Sequence, residues 1–159
     1  MRIAIVVGNP KPRSRTREVA EAVAAVLPGE VVETVDLADH AGRLFTWGDP
    51  VLDELTAKVA GCDLLVVASP TYKATYTGML KAFLDRYPTD GLAGVVAVPV
   101  MTGGAPDHAL AVETHLRPLL VELGASVPTR GLYVVMSRMA ELSGITAAWA
   151  ARNKAALHV

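Results

Sequence analysis

Five apolar, β-branched runs punctuate the chain, at residues 3–7, 31–35, 64–68, 95–100 and 132–136, each of strand length. The first, third and fourth are nearly unbroken in apolar residues, which predicts burial on both faces, as in a parallel sheet covered by helices. Helix-period segments lie between the runs. Residues 16–27 align Val19, Ala20, Val23, Ala24 and Leu27 on one face, and residues 76–87 align Met79, Leu80, Phe83 and Leu84. Residues 51–59 form a weaker segment between Pro50 and Gly61, and residues 107–123 and 145–157 complete the set. Strand alternating with helix through short connections predicts a doubly wound α/β fold, with one domain over residues 1–159 and a five-stranded parallel sheet of order 2-1-3-4-5. The least regular stretch, 39–49, carries Phe45 and Trp47 among glycines. Two readings of it stay open: a surface loop pinned to the core by its two rings, or a contact for a partner or ligand.

Composition narrows the setting. Of 159 residues, 52% are hydrophobic, which is enough for a core, and the formal net charge of −1 does not point to nucleic acid as a partner. No apolar run reaches the ~18–20 residues of a membrane span, and the chain enters its first strand at once, without a signal-peptide layout. A single cysteine, Cys62, forms no internal disulfide and suits a reducing compartment, so the cytoplasm is the expected location. His40, His108, His115 and His158 are scattered without metal-ligand spacing, and no metal site is expected.

In an open parallel sheet of this order, ligands collect beyond the carboxyl ends of the strands, between the first and third. Three loops converge there, and all three are unusual. The first reads Gly8-Asn9-Pro10-Lys11-Pro12-Arg13-Ser14-Arg15-Thr16 and runs into a helix that Ser14 or Thr16 can cap. Free first-turn N–H groups, hydroxyls and an arginine make an anion site suited to a phosphate. Neither Gly-Lys-Ser/Thr nor Gly-x-Gly-x-x-Gly is present, so a monophosphate is favoured over a nucleoside triphosphate or a dinucleotide. Lys11, Arg13 and Arg17 exceed the needs of one phosphate, and are either a solvated basic rim or an attraction for the phosphates of a second ligand.

In the middle loop, Pro70 is expected to end the strand at Ser69, and Thr71, Tyr72 and Lys73 to follow an extended path with unpaired backbone groups. In the last loop, Thr102 offers a hydroxyl, while Gly103 and Gly104 let backbone approach a flat ligand where a Cβ would collide. A monophosphate at one loop and a planar, polar heterocycle between the other two describe FMN.

These residues resemble the NADPH-dependent FMN reductases of flavodoxin-like fold, a three-layer sandwich, and most of all the small reductases of two-component alkanesulfonate monooxygenase systems. Gly8-Asn9-Pro10 followed by Ser14-Arg15-Thr16 looks like that family's phosphate loop, with asparagine where serine is usual. The run from Ser69 to Lys81 is similar to its Pro-x-Tyr-Lys-x-x-Tyr-x-Gly-x-Leu-Lys signature, and Thr102-Gly103-Gly104 with His108 resembles its third flavin loop. The resemblance implies that Asn9, Ser14, Arg15 and Thr16 hold the FMN phosphate. It implies that Pro70, Thr71, Tyr72 and Lys73 line the ring system, and that Thr102, Gly103 and Gly104 close its other side. Hydride transfer from NADPH or NADH to FMN is carried by the cofactors, so no catalytic side chain is expected. A helix starting near Pro106 is expected to favour negative charge on the reduced flavin.

Pro118 interrupts the fourth helical segment by removing a hydrogen bond, which predicts a kink or wide turn around Thr114 and His115. In the resembling reductases, a wide turn in this region lies at a subunit interface. A homodimer or homotetramer is expected, because a single small subunit leaves the nicotinamide pocket open on one side, with Tyr72, Tyr76, Met79, Leu80, Phe83 and Tyr87 either core-facing or continuing onto its surface. The expected activity is an FMN reductase supplying a partner monooxygenase. An FMN-retaining quinone or azo reductase, or an FMN-binding electron carrier, are the alternatives.

Overall fold

The computed structural model describes residues 1–157, and His158 lies outside the described residues. Strands β1 (Arg2–Val7), β2 (Glu30–Asp36), β3 (Leu64–Pro70), β4 (Val96–Gly103) and β5 (Leu132–Val135) form one sheet of order β2-β1-β3-β4-β5. Every pairing is parallel. The two-residue alternation of a strand divides the core into two layers. Ile3, Ile5 and Val7 pack with Val19 and Val23 of α1 (Arg15–Ala24) and Trp149 of α5 (Leu142–Asn153). Ala4 and Val6 face the other way. They join Leu52 of α2 (Pro50–Ala60), Leu80 and Phe83 of α3 (Gly78–Leu84) and Leu120 of α4 (Arg117–Glu122). Burying each such large apolar side chain contributes ~1.5–3 kcal/mol, and the three layers follow from that demand on both faces of the sheet.

Several boundaries differ from expectation, each for a local reason. The third strand ends at Pro70, one residue later than expected, because Pro70 itself pairs in register with Thr102. Proline loses only a donor and keeps a φ compatible with extended backbone, and at the last residue of β3 that loss interrupts nothing further on. Thr102 and Gly103 likewise belong to β4 rather than to a loop. The helix that starts at Pro106 is a single 3₁₀ turn, Pro106–His108, too short to present the N-terminus of an α-helix. The wide turn at 107–123 is present. Residues Val112–Leu116 form a π turn, in which the N–H of Arg117 donates to the carbonyl of Val112. The carbonyl of Thr114 would need its donor from Pro118, which has none, so the chain takes the wider register.

The stretch 39–49 is not pinned by its aromatic rings. Its first part is a 3₁₀ helix (Leu37–Arg43), and Leu37 and Leu44 supply the buried contacts. Phe45 is 82% exposed and Trp47 75% exposed. Arg86, its side chain 4% exposed, holds this loop from below. It donates to the Thr46 carbonyl at 2.9 Å, and its guanidinium carbon lies 5.8 Å from the Trp47 ring centroid. Tyr87, Leu80 and Phe83 are core residues and not a surface stripe; Tyr87 meets Phe83 edge-on at 6.1 Å.

Candidate functional site

Beyond the carboxyl ends of β1, β3 and β4, the three loops enclose a cleft of about 410 Å³. Ser14 caps α1, its hydroxyl accepting from the Arg17 N–H at 3.3 Å. The Glu18 N–H reaches the Ser14 carbonyl, so the amides of Arg15 and Thr16 have no intramolecular partner among the described residues. These two donors, with the side chains of Lys11 and Arg15 in the same wall, suit a dianionic phosphate. The loop owes its shape to two acceptors. Asn9 Oδ1 accepts from the Lys11 N–H at 2.9 Å, and buried Asp36 Oδ2 accepts from the Arg13 N–H at 3.0 Å, holding Arg13 at φ +49°.

The basic rim divides on inspection. Arg17 is tied to Glu21 at 2.7 Å and lies 3.6 Å from Asp36, and the Glu21 hydrogen bond holds its pKa above the ordinary value. Lys11 and Arg13 have no acidic partner among the described residues. They are the cations left for a ligand.

A chain of side chains joins the first loop to the third. Asn9 Nδ2 donates to Thr16 Oγ1 at 2.9 Å, and Thr16 Oγ1 meets Thr102 Oγ1 at 3.0 Å. Both threonines are about 1% exposed, so these hydroxyls brace the loops against one another. A second brace joins the first loop to the middle one. Thr77 Oγ1 donates to the Gly8 carbonyl at 2.6 Å, and Ser69 Oγ accepts from the Thr77 N–H at 3.0 Å. Gly8 is required here, because a Cβ would come 2.5 Å from Leu80 Cβ.

The middle loop is not an extended, unpaired segment. The Thr71 N–H donates to the Thr102 carbonyl at 2.7 Å and the Tyr72 N–H to the Thr75 carbonyl at 2.9 Å. Residues 72–75 close a tight turn with Lys73 at φ +51° and Ala74 at φ +68°. Lys73, within this turn, is exposed and is not among the residues that line the cleft. Pro70, Thr71 and Tyr72 do line it, Tyr72 with half its surface exposed. Thr71 Oγ1 is buried without a hydrogen-bond partner among the described residues.

Ten of the eleven residues that the sequence reading assigned to the cofactor, all but Lys73, surround one cleft: Asn9, Ser14, Arg15 and Thr16 on one side, Pro70, Thr71 and Tyr72 on another, Thr102, Gly103 and Gly104 on the third. Two further residues line it. Lys11 entered the sequence reading only as part of the rim. Met136 was missed, although its place directly after the last strand puts it at the ligand end of the sheet. The two glycines differ in purpose. Nothing lies within 4 Å of a Cβ built on Gly104, so its space is open to a ligand, whereas a Cβ on Gly103 would strike Tyr133.

FMN fits these residues. Its phosphate would find two cations and amides without an intramolecular partner among the described residues, the open space at Gly104 would admit a flat ring, and the Thr71 hydroxyl has no partner among the described residues. Comparison with known proteins agrees. A family model described as NADPH-dependent FMN reductase matches residues 1–139. The chain is 35% identical over 138 residues to the FMN reductase (NADPH) of Escherichia coli (strain K12), covering 84% of this chain and 72% of that one. It is 30% identical over 163 residues to the NADH-dependent FMN reductase SfnE of Pseudomonas putida, covering 97% and 87%. The apo crystal structure of the NADH:FMN oxidoreductase EMOB superposes with a TM-score of 0.79 at 31% identity, covering 95% and 89%.

Proposed function

The chain belongs to the NADPH-dependent FMN reductase family, and from that premise we propose that the cleft holds FMN for reduction by NADPH or NADH and releases it to a partner monooxygenase. Lys11, Arg15 and the Arg15 and Thr16 amides take the phosphate. Pro70, Thr71 and Tyr72 line one side of the ring system, and Thr102, Gly103 and Gly104 the other. Lys73, exposed in its turn, has no part in the ring pocket. The observation that carries the assignment is the Thr71 hydroxyl, buried and unpartnered in a wall of the cleft whose opposite side carries the cations.

The nicotinamide and the flavin supply the redox chemistry between them, as a hydride transfer. The protein's contribution is to bind, orient and exclude water. Thr16, Thr102 and Thr77 fix the spacing of the three loops, so the flavin enters a preformed slot and less ordering is required on binding. Arg13, exposed beside the cleft, remains to receive a phosphate of the dinucleotide. Its relatives include both an NADPH enzyme and an NADH-dependent one, and comparing rates with the two dinucleotides decides the preference here.

The protein acts as a homodimer or homotetramer in this reading, and the exposed outer row of the π-turn segment, with Leu110 66% and Val121 54% exposed, supports it. Buried Cys62, with no disulfide partner, fits a cytoplasmic setting. Among the described residues, no helix is long and apolar enough to cross a membrane.

The deciding experiment follows dinucleotide oxidation in the presence of free FMN. Turnover at substoichiometric enzyme supports the reductase reading. No turnover with either dinucleotide overturns it, and turnover only with retained flavin plus a quinone or azo acceptor transfers the protein to that class.

A further inference from the structure

Resting on the FMN reading, we propose that Tyr133 is a positioning residue that sets the shape and polarity of the third loop. Tyr133 pairs with Met101 in the parallel register of β4 and β5. By the alternation of a strand, Met101, Gly103 and Tyr133 then share a face of the sheet. The ring runs along β4 toward the cleft, and its hydroxyl donates to the Ala105 carbonyl at 2.9 Å. A Cβ on Gly103 would land on that hydroxyl and 2.8 Å from the ring carbon that carries it. Gly103 is thus glycine because of the tyrosine, while only Gly104 leaves space for the ligand.

The polarity follows from the next residue. The peptide after Ala105 ends at Pro106 and has a carbonyl but no N–H. If that carbonyl turned into the cleft, it would set a negative dipole end against a flavin that gains electron density on reduction. The Tyr133 phenol ties the carbonyl back toward the sheet edge, so Gly104 backbone, and not an acceptor, borders the cleft. Tyr133 does not line the cleft itself, so its effect on FMN is exerted wholly through residues 103–105.

The test is FMN titration on the whole protein, followed for oxidised FMN by quenching of flavin fluorescence and for reduced FMN, which itself hardly fluoresces, by quenching of tryptophan fluorescence. Tyr133→Phe keeps the ring and removes the tie. The Kd for FMN is expected to rise about threefold to tenfold, the range that follows from losing one hydrogen bond, and more for reduced than for oxidised FMN. In the assay KM for FMN should rise with kcat nearly unchanged, whereas simple loss of folded enzyme would lower kcat and leave the Kd of the remainder alone. The crowding is tested separately. Gly103→Ala should weaken FMN binding strongly in the natural chain and much less in a Tyr133→Val background, a coupling that only direct contact produces. A Kd for Tyr133→Phe within twofold of the natural protein in both redox states overturns the proposal, as does equal cost of Gly103→Ala in the two backgrounds. If the natural protein itself does not quench FMN, the FMN reading fails and this inference falls with it. Quenching by the natural protein with no change in the variants sinks this inference alone.

Discussion

Thr71 Oγ1 is buried without a hydrogen-bond partner among the described residues, and an unsatisfied buried hydroxyl costs ~1–3 kcal/mol. Thr71→Val removes the cost at nearly constant shape. The ligand-free variant should therefore melt higher than the natural protein, while its Kd for FMN rises several-fold because the ligand loses a partner. Melting curves with and without FMN read both signs, and a variant that melts lower and binds FMN unchanged contradicts the role given to Thr71. Three residues along, Ala74 sits at φ +68°, a left-handed conformation that L side chains resist by ~1–2 kcal/mol. Ala74→Gly should raise the melting temperature by about 2 °C, after allowing for the added freedom of the unfolded chain. Neither feature was legible in the sequence. The residue types that line the cleft are visible as motifs, but a partnerless hydroxyl or a positive φ depends on what the fold places alongside. Lys73 shows the limit from the other side: it belongs to the most specific motif in the chain, yet it sits exposed in a tight turn and does not line the cleft.

Elements were read best where burial alone decides them. The nearly unbroken apolar runs marked the central strands because a strand covered on both faces has no polar alternative, and the alternation of strand with helix carried the order. Strand ends were read less well, because the pairing of Pro70 with Thr102 is a contact between residues distant in sequence. The π turn was legible for the opposite reason, being forced by one residue, Pro118, in its own segment. What holds that turn was not legible. Arg117 Nε donates to Glu113 at 2.6 Å and its guanidinium reaches the carbonyls of Val127 and Thr129, while Glu113 accepts the Gly131 N–H at 2.6 Å. The clamp ties the π turn to the segment entering β5, and thus to Tyr133. Burial alone would push the Glu113 pKa up, but the hydrogen bonds from Arg117 and Gly131 outweigh it and hold the carboxyl below its ordinary value of 4.5. With the folded value below the unfolded one, ionised Glu113 adds stability that is fully present above pH 4.5 and is lost as pH falls through the folded value. Glu113→Gln should then lower the melting temperature near neutral pH, and its deficit should shrink below about pH 4 as the natural side chain protonates. A deficit constant from pH about 7 to about 3 would show that the charge of Glu113 contributes nothing.

At the scale of the whole molecule, six of the nine large apolar residues exposed among the described residues share one layer, while Met1 lies just before β1 and Val31 and Val32 lie in β2. Phe45, Trp47, Val51, Tyr72, Leu110 and Val121 all belong to α2, to the segment around α4, or to the loops leading to α2 and α3. Among the described residues, the layer formed by α1 and α5 exposes no large hydrophobic side chain. Large apolar patches on one side of a molecule mark interaction surfaces. Within this one, Leu110, Thr114, Pro118 and Val121 are spaced as one helical row, and all four are exposed. The wide register of the π turn sets how that row lies relative to α4, so the proline that reshapes the segment also shapes its outer surface. A stable pair of subunits buries ~800 Å² on each partner, an area that a helical row with Tyr72 and the Phe45–Trp47 loop is placed to supply. Light scattering on a sizing column should therefore give the natural protein a dimer or tetramer mass. The pair Leu110→Glu and Val121→Glu, both at exposed positions, should give a monomer with an unchanged melting profile at low concentration. The exposed Trp47 provides an independent reading, since its fluorescence should shift to the red on dissociation if the loop lies in the interface. A monomeric natural protein, or a double variant that keeps its mass, would leave this layer without a second copy and assign its apolar face to another partner.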